Sequence, residues 1–140
     1  MKQQLNVMRL TLYAPLFYDP DHTLSPFAVA GKGAGETLFL FAIPQEQAFS
    51  IEPEPEGYLG APLFAGTARV EEGSGEFALP AGNYLFAQAR GELDAADVVW
   101  MAAEVQKDGL WEKRVLTDRL YLRRLFEHGG PVTQVFRPFR

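Results

Sequence analysis

The stretch from Leu79 to Phe139 constrains the fold most, because strand, turn, helix and hairpin patterns follow one another in it without conflict. An apolar run that ends at Leu79 is followed by Pro80-Ala81-Gly82-Asn83, whose residue types favour a turn, and then by a second apolar run from Tyr84. This order predicts two strands joined by a short turn.

A helix is predicted over residues 94–108. Asp94 is a suitable N-cap residue, and Asp97 places negative charge near the positive end of the helix dipole. Gly109 is the expected C′ residue, because a left-handed residue commonly ends a helix. Apolar residues between these ends recur at spacings of three and four, which indicates one buried helix face. They are Ala95, Val98, Val99, Ala102 and Val105.

The chain after the helix carries two runs rich in aromatic and β-branched residues, 120–126 and 132–137, joined by a segment with two glycines and a proline. These runs predict a C-terminal β-hairpin. Side chains alternate between the two faces of a strand, so Tyr121 and Arg123 lie on the face opposite to Leu120. Neither face is fully polar, which favours a core on one side and a partly apolar cleft or second layer on the other.

The first half of the chain has weaker patterns. The patterns of residues 5–13 and 36–43 predict strands, and the second strand is apolar enough to be covered on both faces. Residues 15–35 read as a loop, and 45–49 as a single helical turn. A hairpin is predicted between 67–72 and 76–79 across Gly73-Ser74-Gly75.

Together these elements predict an α+β fold, mainly an antiparallel sheet with one clear helix, as a single domain over residues 1–140. The chain has 140 residues, of which 47% are hydrophobic, which suffices for one buried core. It has no cysteine, which excludes disulfides and thiolate sites. No segment resembles a signal peptide or a membrane span, so we expect a cytoplasmic protein without a membrane partner.

Charge is unevenly distributed. The net charge is −5, which argues against sequence-independent binding to nucleic acid. Residues 1–79 contain 4 Lys or Arg and 10 Asp or Glu, whereas residues 80–140 contain 9 and 8, so the two parts carry −6 and +1. The arginines near the last hairpin either attract an anionic ligand, face solvent, or neutralise the acidic first half.

Several of these features together resemble the second half of GyrI-like effector-binding domains of the SOUL/GyrI superfamily. They are Leu79-Pro80-Ala81-Gly82-Asn83-Tyr84, a helix that carries Trp100, the exit Gly109-Leu110-Trp111, the Tyr121 strand and the final Thr133-Gln134-Val135-Phe136-Arg137-Pro138-Phe139. The resemblance implies two βαββ-type halves that form a groove for small, often amphipathic, organic molecules. Many members carry Glu where this chain has Arg119, so a preference for cations is not carried over.

We therefore predict a ligand-binding groove walled by aromatic residues, with Arg119 or Glu104 as its polar determinant. The alternative is that the aromatic residues serve only as ordinary core. The predicted ligand-binding residues are Tyr84, Phe86, Trp100, Glu104, Trp111, Arg119 and Tyr121.

No metal site or cofactor is predicted. His22 and His128 lack neighbouring ligand residues, and the glycine-rich residues 31–35 precede a strand where a phosphate loop would precede a helix. The predicted function is a stand-alone, non-catalytic binding domain for a small amphipathic or aromatic molecule, acting as a homodimer or with a separate regulatory partner. The alternatives are a protein interaction or structural module, and a small hydrolase or isomerase that uses Glu104.

Overall fold

The computed structural model describes residues 5–27, 35–68, 77–91, 93–127 and 129–140. Within these ranges, eight strands, one main helix and one single-turn helix form an α+β fold, which confirms the predicted fold class. The elements in chain order are β1 (Met8–Leu12), β2 (Leu16–Pro20), β3 (Thr37–Ala42), α1 (Gln45–Ala48), β4 (Phe64–Ala68), β5 (Phe77–Leu79), β6 (Gly82–Arg90), α2 (Ala95–Trp111), β7 (Arg119–Glu127) and β8 (Gly130–Pro138).

The strands form one antiparallel sheet whose two ends meet. Their order is β1-β6-β8-β7-β3-β4-β2-β5. Leu12 of β1 lies opposite Gly82 of β6, and Leu16 of β2 lies opposite Leu79 of β5. Only residues 13–15 separate β1 from β2, and only Pro80 and Ala81 separate β5 from β6. The segment 8–18 therefore stays paired with the segment 77–86 on both sides of a corner. The sheet therefore closes on itself and has an inner and an outer face.

The two halves of the chain have the same strand order. In the second half, β6 lies next to β8, and β8 lies next to β7. In the first half, β2 lies next to β4, and β4 lies next to β3. In the second half, the helix α2 connects β6 to β7. The corresponding connection in the first half runs from β2 to β3, and its described residues are not helical. The chain therefore has an internal repeat of topology that its sequence pattern does not show.

The two faces of the sheet carry two separate apolar clusters. Val98 and Val105 of α2 pack on the outer face, where they join Phe39 and Leu122 in one buried cluster. The inner face holds the second cluster, which includes Leu38. Strand β3 is thus covered on both faces, as predicted. The inner cluster consists of Tyr18, Leu38, Leu40, Leu79, Tyr84, Phe86, Tyr121 and Phe136.

The C-terminal hairpin and the start of α2 also agree with the sequence prediction. Strands β7 and β8 pair from Tyr121 opposite Phe136 to Glu127 opposite Gly130. The Asp94 side chain caps α2 by accepting a hydrogen bond from the backbone N–H of Asp97 at 2.9 Å. The Asp97 carboxylate in turn accepts from the Asp94 backbone N–H, which completes a capping box.

The predicted end of the helix at Gly109 is wrong. The helix continues to Trp111, and Lys113, with φ of 60°, takes the left-handed position expected of the glycine. The Arg114 N–H donates to the Gly109 carbonyl at 2.8 Å, as in a Schellman ending. A Cβ atom on Gly109 would lie 2.4 Å from Cδ1 of Leu85, so this glycine allows α2 to lie close to the sheet.

A fully buried arginine joins several elements on the outer side of the sheet. Arg137 of β8 donates through Nε to the Thr117 carbonyl at 2.8 Å and through Nη2 to the Ala48 carbonyl at 2.7 Å. Its Nη1 donates to Gln106 Oε1 at 2.9 Å and to the Tyr58 hydroxyl at 3.3 Å. Burial lowers the pKa of Arg137, which is the desolvation effect expected of a charge surrounded by neutral acceptors.

Two predictions about the first half are corrected. Residues 15–35 are not all loop, because β2 lies within them and buries Tyr18 completely. The hairpin between 67–72 and 76–79 is not formed as predicted, because β2 lies between β4 and β5 and pairs with both. The connection that was expected to be its turn lies in residues 69–76, outside the described ranges. Short strands with proline at their ends resemble loops in sequence and need neighbouring strands to hold them.

Gly66 of β4 provides a test of the closed sheet. A Cβ atom at this position would lie 2.5 Å from the Asp19 carbonyl oxygen of β2 and 2.5 Å from Cζ of Phe64. We expect Gly66→Ala to lower the free energy of unfolding by about 1 to 3 kcal/mol, because backbone would have to move. Gly60→Ala, with no atom within 4 Å of the new Cβ, should change it by less than about 0.5 kcal/mol. Equal effects in urea unfolding would contradict the close β2–β4 pairing.

Candidate ligand-binding site

The inner face of the sheet carries a continuous series of aromatic side chains. Alternation puts Tyr84 and Phe86 of β6 on this face, and Phe136 lies opposite Phe86 on the neighbouring strand. Such cross-strand aromatic pairs stabilise a sheet. Successive ring centroids are 4.1 Å apart for Phe64 and Phe77, 6.5 Å for Phe77 and Tyr121, 6.2 Å for Tyr121 and Tyr84, 5.8 Å for Tyr84 and Phe136, and 4.9 Å for Phe136 and Phe86.

One end of the inner face is polar and internally paired. The Arg123 guanidinium donates to Glu36, which also accepts from the Tyr18 hydroxyl. Arg123 Nη1 donates to Gln134 Oε1 at 3.1 Å, and Gln134 Nε2 donates to Gln88 Oε1 at 3.0 Å. Burial and then the hydrogen bond to Glu36 raise the pKa of Tyr18. The charges of Glu36 and Arg123 are thus matched within the chain.

The opposite end of the inner face opens into a cavity of about 290 Å³. Five residues bring polar side chains to it, and its other lining residues are apolar; the five are Asn83, Tyr84, Thr117, Arg119 and Tyr121. The cavity is bounded by the corner of the sheet, because the residues that join β5 to β6 form part of its wall. Its lining is Pro80, Ala81, Gly82, Asn83, Tyr84, Thr117, Arg119, Tyr121, Pro138 and Phe139. We call this space the mouth cavity.

Three of the polar side chains in the mouth cavity, those of Tyr84, Tyr121 and Arg119, influence one another. The Tyr84 hydroxyl donates to the Pro80 carbonyl at 2.5 Å. Burial raises the pKa of Tyr84, and Tyr121 raises it further. Burial also raises the pKa of Tyr121, whereas the positive charge of Arg119 partly opposes that rise. Because the Tyr84 O–H is already donated to Pro80, the donors that the cavity offers to an acidic group at neutral pH are the protonated Tyr121 hydroxyl and the Arg119 guanidinium.

The predicted site residues divide between two regions of the molecule. Tyr84, Tyr121 and Arg119 line the mouth cavity, and Phe86 is buried on the same inner face outside the cavity lining. The other three are on α2, on the outer side of the sheet. Trp100 packs partly buried against the outer cluster, and Glu104 and Trp111 line a different cavity. The structure thus does not bring all seven into one groove.

Sequence reasoning missed the polar end of the inner face. Glu36 and Arg123 are 87 residues apart, and nothing local in the sequence pairs them. Strand alternation does place Arg123 on the same face as Tyr121, and that was the available signal. Arg137 is one of the arginines near the last hairpin for which an anionic ligand, solvent or the acidic first half was expected, but its side chain is fully buried and donates to neutral acceptors.

The described ranges contain neither a metal-binding cluster nor a membrane-spanning helix. No group of three or more His, Cys, Asp or Glu side chains there could hold a metal ion. His22 is exposed, and His128 and residues 31–34 lie outside these ranges. No helix in the part of the chain that the structure describes is long and apolar enough to cross a membrane.

Comparison with known proteins leaves the family open. No protein-family model matches the sequence, and the search of curated proteins gives no match either. The GyrI-like resemblance therefore stays a prediction that rests on the motif residues, and the function has to be argued from the geometry of the site.

The tyrosines give a prediction about alkaline pH. The pKa values of Tyr18, Tyr58, Tyr84 and Tyr121 are all raised in the folded chain, in each case mainly by burial. Unfolding exposes these phenols, so the unfolded chain ionises at lower pH. The resulting stability is fully present below about pH 10 and is lost as the pH rises further, by at most about 1.4 kcal/mol per pH unit for each tyrosine.

Tyr84→Phe tests this prediction in urea unfolding from about pH 9 to 12. The free energy of unfolding should fall less steeply with pH in the variant than in the parent protein, because one ionisable phenol is gone. Parallel curves would show that Tyr84 is not protected in the folded state.

Proposed function

We propose that this protein binds a small organic molecule with an apolar or aromatic body and an acidic group, without transforming it. The observation that carries the proposal is the mouth cavity, where Arg119 and Tyr121 present donors beside apolar walls at one end of an aromatic inner face. Ligand sites typically combine such walls with a few polar groups that orient the ligand.

The volume of the mouth cavity limits the size of the ligand. Its volume of about 290 Å³ lies at the lower end of the range of roughly 300 to 1,000 Å³ typical of small-molecule sites. The ligand is accordingly a single ring or a short chain with one charged group. Arg119 is exposed, and its Nε lies 3.8 Å from Asp118 Oδ1, so its guanidinium has donors left for an acid.

The lining of the mouth cavity favours binding over catalysis. All ten lining residues are described, and none of them is a carboxylate, a histidine, a lysine or a serine. The raised pKa values of Tyr84 and Tyr121 make these phenols poor bases at neutral pH. Glu104, which the hydrolase alternative requires, lines the other cavity.

The broader role follows the sequence resemblance and is part of the same proposal. A GyrI-like relationship would make the protein an effector-binding domain, and the repeated strand order of its halves supports that relationship. We propose a cytoplasmic location, with any regulatory output passed through a second copy or a separate partner. One observation supports the alternative that the protein is an interaction module: several large apolar side chains are exposed, among them Tyr13 at 92%.

Three probes that differ mainly in their charged group test the proposed ligand class: phenylacetate, phenethylamine and phenethyl alcohol. Phenylacetate at about one hundred times its dissociation constant should stabilise the folded chain by about 2.7 kcal/mol, which raises the unfolding midpoint by several degrees. We expect Arg119→Ala to remove this effect, because the acid loses its cation. Arg90→Ala, an exposed arginine outside the cavity lining, is the matched control and should keep it.

If none of the probes changes the midpoint, or if Arg119→Ala and Arg90→Ala respond alike to phenylacetate, the mouth cavity is not a site for this ligand class. A molecular mass that rises with protein concentration, without a response to any probe, would favour the interaction module.

A further inference from the structure

A second and larger cavity lies on the outer side of the sheet, against the C-terminal half of α2. Its volume is about 610 Å³, roughly twice that of the mouth cavity. It is open to solvent, and three separate parts of the chain border it: residues 5–7, residues 51–52, and one side of α2. The α2 side chains in its wall are Glu104, Lys107, Asp108 and Trp111. We call it the helix cavity.

The helix cavity has apolar walls that the fold leaves in solvent. Trp111 ends α2 with 80% of its surface exposed, and Ile51 is 56% exposed. Leu5 and Val7 are partly buried and pack against the outer cluster, so they form a floor joined to the core. An exposed indole beside a cavity provides both apolar contact and the electron-rich ring face that attracts cations.

The charged groups of the helix cavity are mainly acidic. Among the residues that the structure describes, its lining holds three carboxylates, those of Glu52, Glu104 and Asp108, and one ammonium group, that of Lys107. That ammonium lies 3.4 Å from Glu104 Oε1, so these described lining residues carry an excess of two negative charges.

The pKa of Asp108 agrees with this excess of negative charge. Its pKa is raised, first by burial and next by the negative charge of Glu112, whereas Arg9 acts in the opposite direction. A positive group inside the cavity would lower the free energy of the ionised carboxylate. Acidic side chains on a helix surface are common; here they share a cavity with a solvent-facing indole.

We propose that the helix cavity binds an amphipathic organic cation, in which an ammonium group is attached to an apolar body. The ammonium group would lie between the carboxylates and the ring of Trp111, and the apolar body would cover Leu5, Val7 and Ile51. This site is separate from the mouth cavity, which lies on the other side of the sheet and presents the opposite charge.

The test uses phenethylamine with phenylacetate as the matched anion. The chain has two tryptophans, so Trp100→Phe leaves Trp111 as the only indole reporter. We expect saturable quenching of its fluorescence by phenethylamine and none by phenylacetate. Calorimetric titration of the parent protein gives the same comparison if Trp100→Phe does not fold.

Variants then locate the cation. Glu104→Gln should weaken phenethylamine binding by about three- to tenfold, because one lining charge is removed. Trp111→Leu should weaken it by about fivefold in calorimetry. Glu46→Gln is the matched control, since Glu46 is an exposed residue of α1 that does not line the cavity, and it should leave the affinity unchanged.

The outcomes separate this inference from the proposed function. Loss of phenylacetate binding in Arg119→Ala, with phenethylamine binding retained, would support two independent sites. Phenethylamine binding that depends on Arg119 or Tyr121 but not on Glu104 would move the cation to the mouth cavity and overturn this inference. The absence of any phenethylamine binding in the parent protein would also overturn it, whatever phenylacetate does.

Discussion

The rest of the structure depends on the antiparallel pairing of residues 8–18 with residues 77–86 around a shared corner. Because β1 and β2 follow each other in one segment and β5 and β6 in the other, this pairing closes the sheet. Without it, the sheet would be open and would have no inner face. The corner also supplies Pro80, Ala81 and Gly82 to the wall of the mouth cavity. Gly82, with φ of 147°, adopts a backbone conformation that other residues rarely take, which explains a glycine where β6 begins. Fold closure and the proposed site therefore rest on the same few residues.

The outer side is held by a different kind of interaction, the hydrogen bonds of buried Arg137. Its guanidinium is shared among β8, α1, α2 and the segments before β7 and β4. Gln106 completes the arrangement by donating to the Gln47 and Ser50 carbonyls at 2.7 and 2.6 Å. A buried charge is costly unless its donors are satisfied, and here they are. The network therefore holds the segment between α1 and β4, residues 49–63, against α2 and the sheet through Ser50 and Tyr58. The inner ion pair of Glu36 and Arg123 likewise connects the acidic first half to the basic second half.

The sequence allowed prediction of those elements whose signals are local. The capping residues Asp94 and Asp97, the apolar stripe of α2 and the two runs of the last hairpin were sufficient for the second half. Strand β2 was missed because its five residues are held by β4 and β5 from far along the chain. The end of α2 was missed because Gly109 serves packing against Leu85 and not termination. The site was predicted in part: strand alternation placed Tyr121 and Arg123 on one face of the sheet, whereas no periodicity in the sequence states that α2 lies on the opposite side of the sheet from Tyr121.

The measurement that tests the central claim most directly is a titration of isotope-labelled protein with phenylacetate, followed by two-dimensional NMR. Binding in the mouth cavity predicts that the largest shift changes occur at residues 80–84, at 117–121, at 138–139 and at the Arg119 side-chain N–H. These residues surround one cavity but come from three separate stretches of chain. Changes confined to α2, or small changes spread over the whole surface, would contradict the assignment of the ligand site to the inner face of the closed sheet.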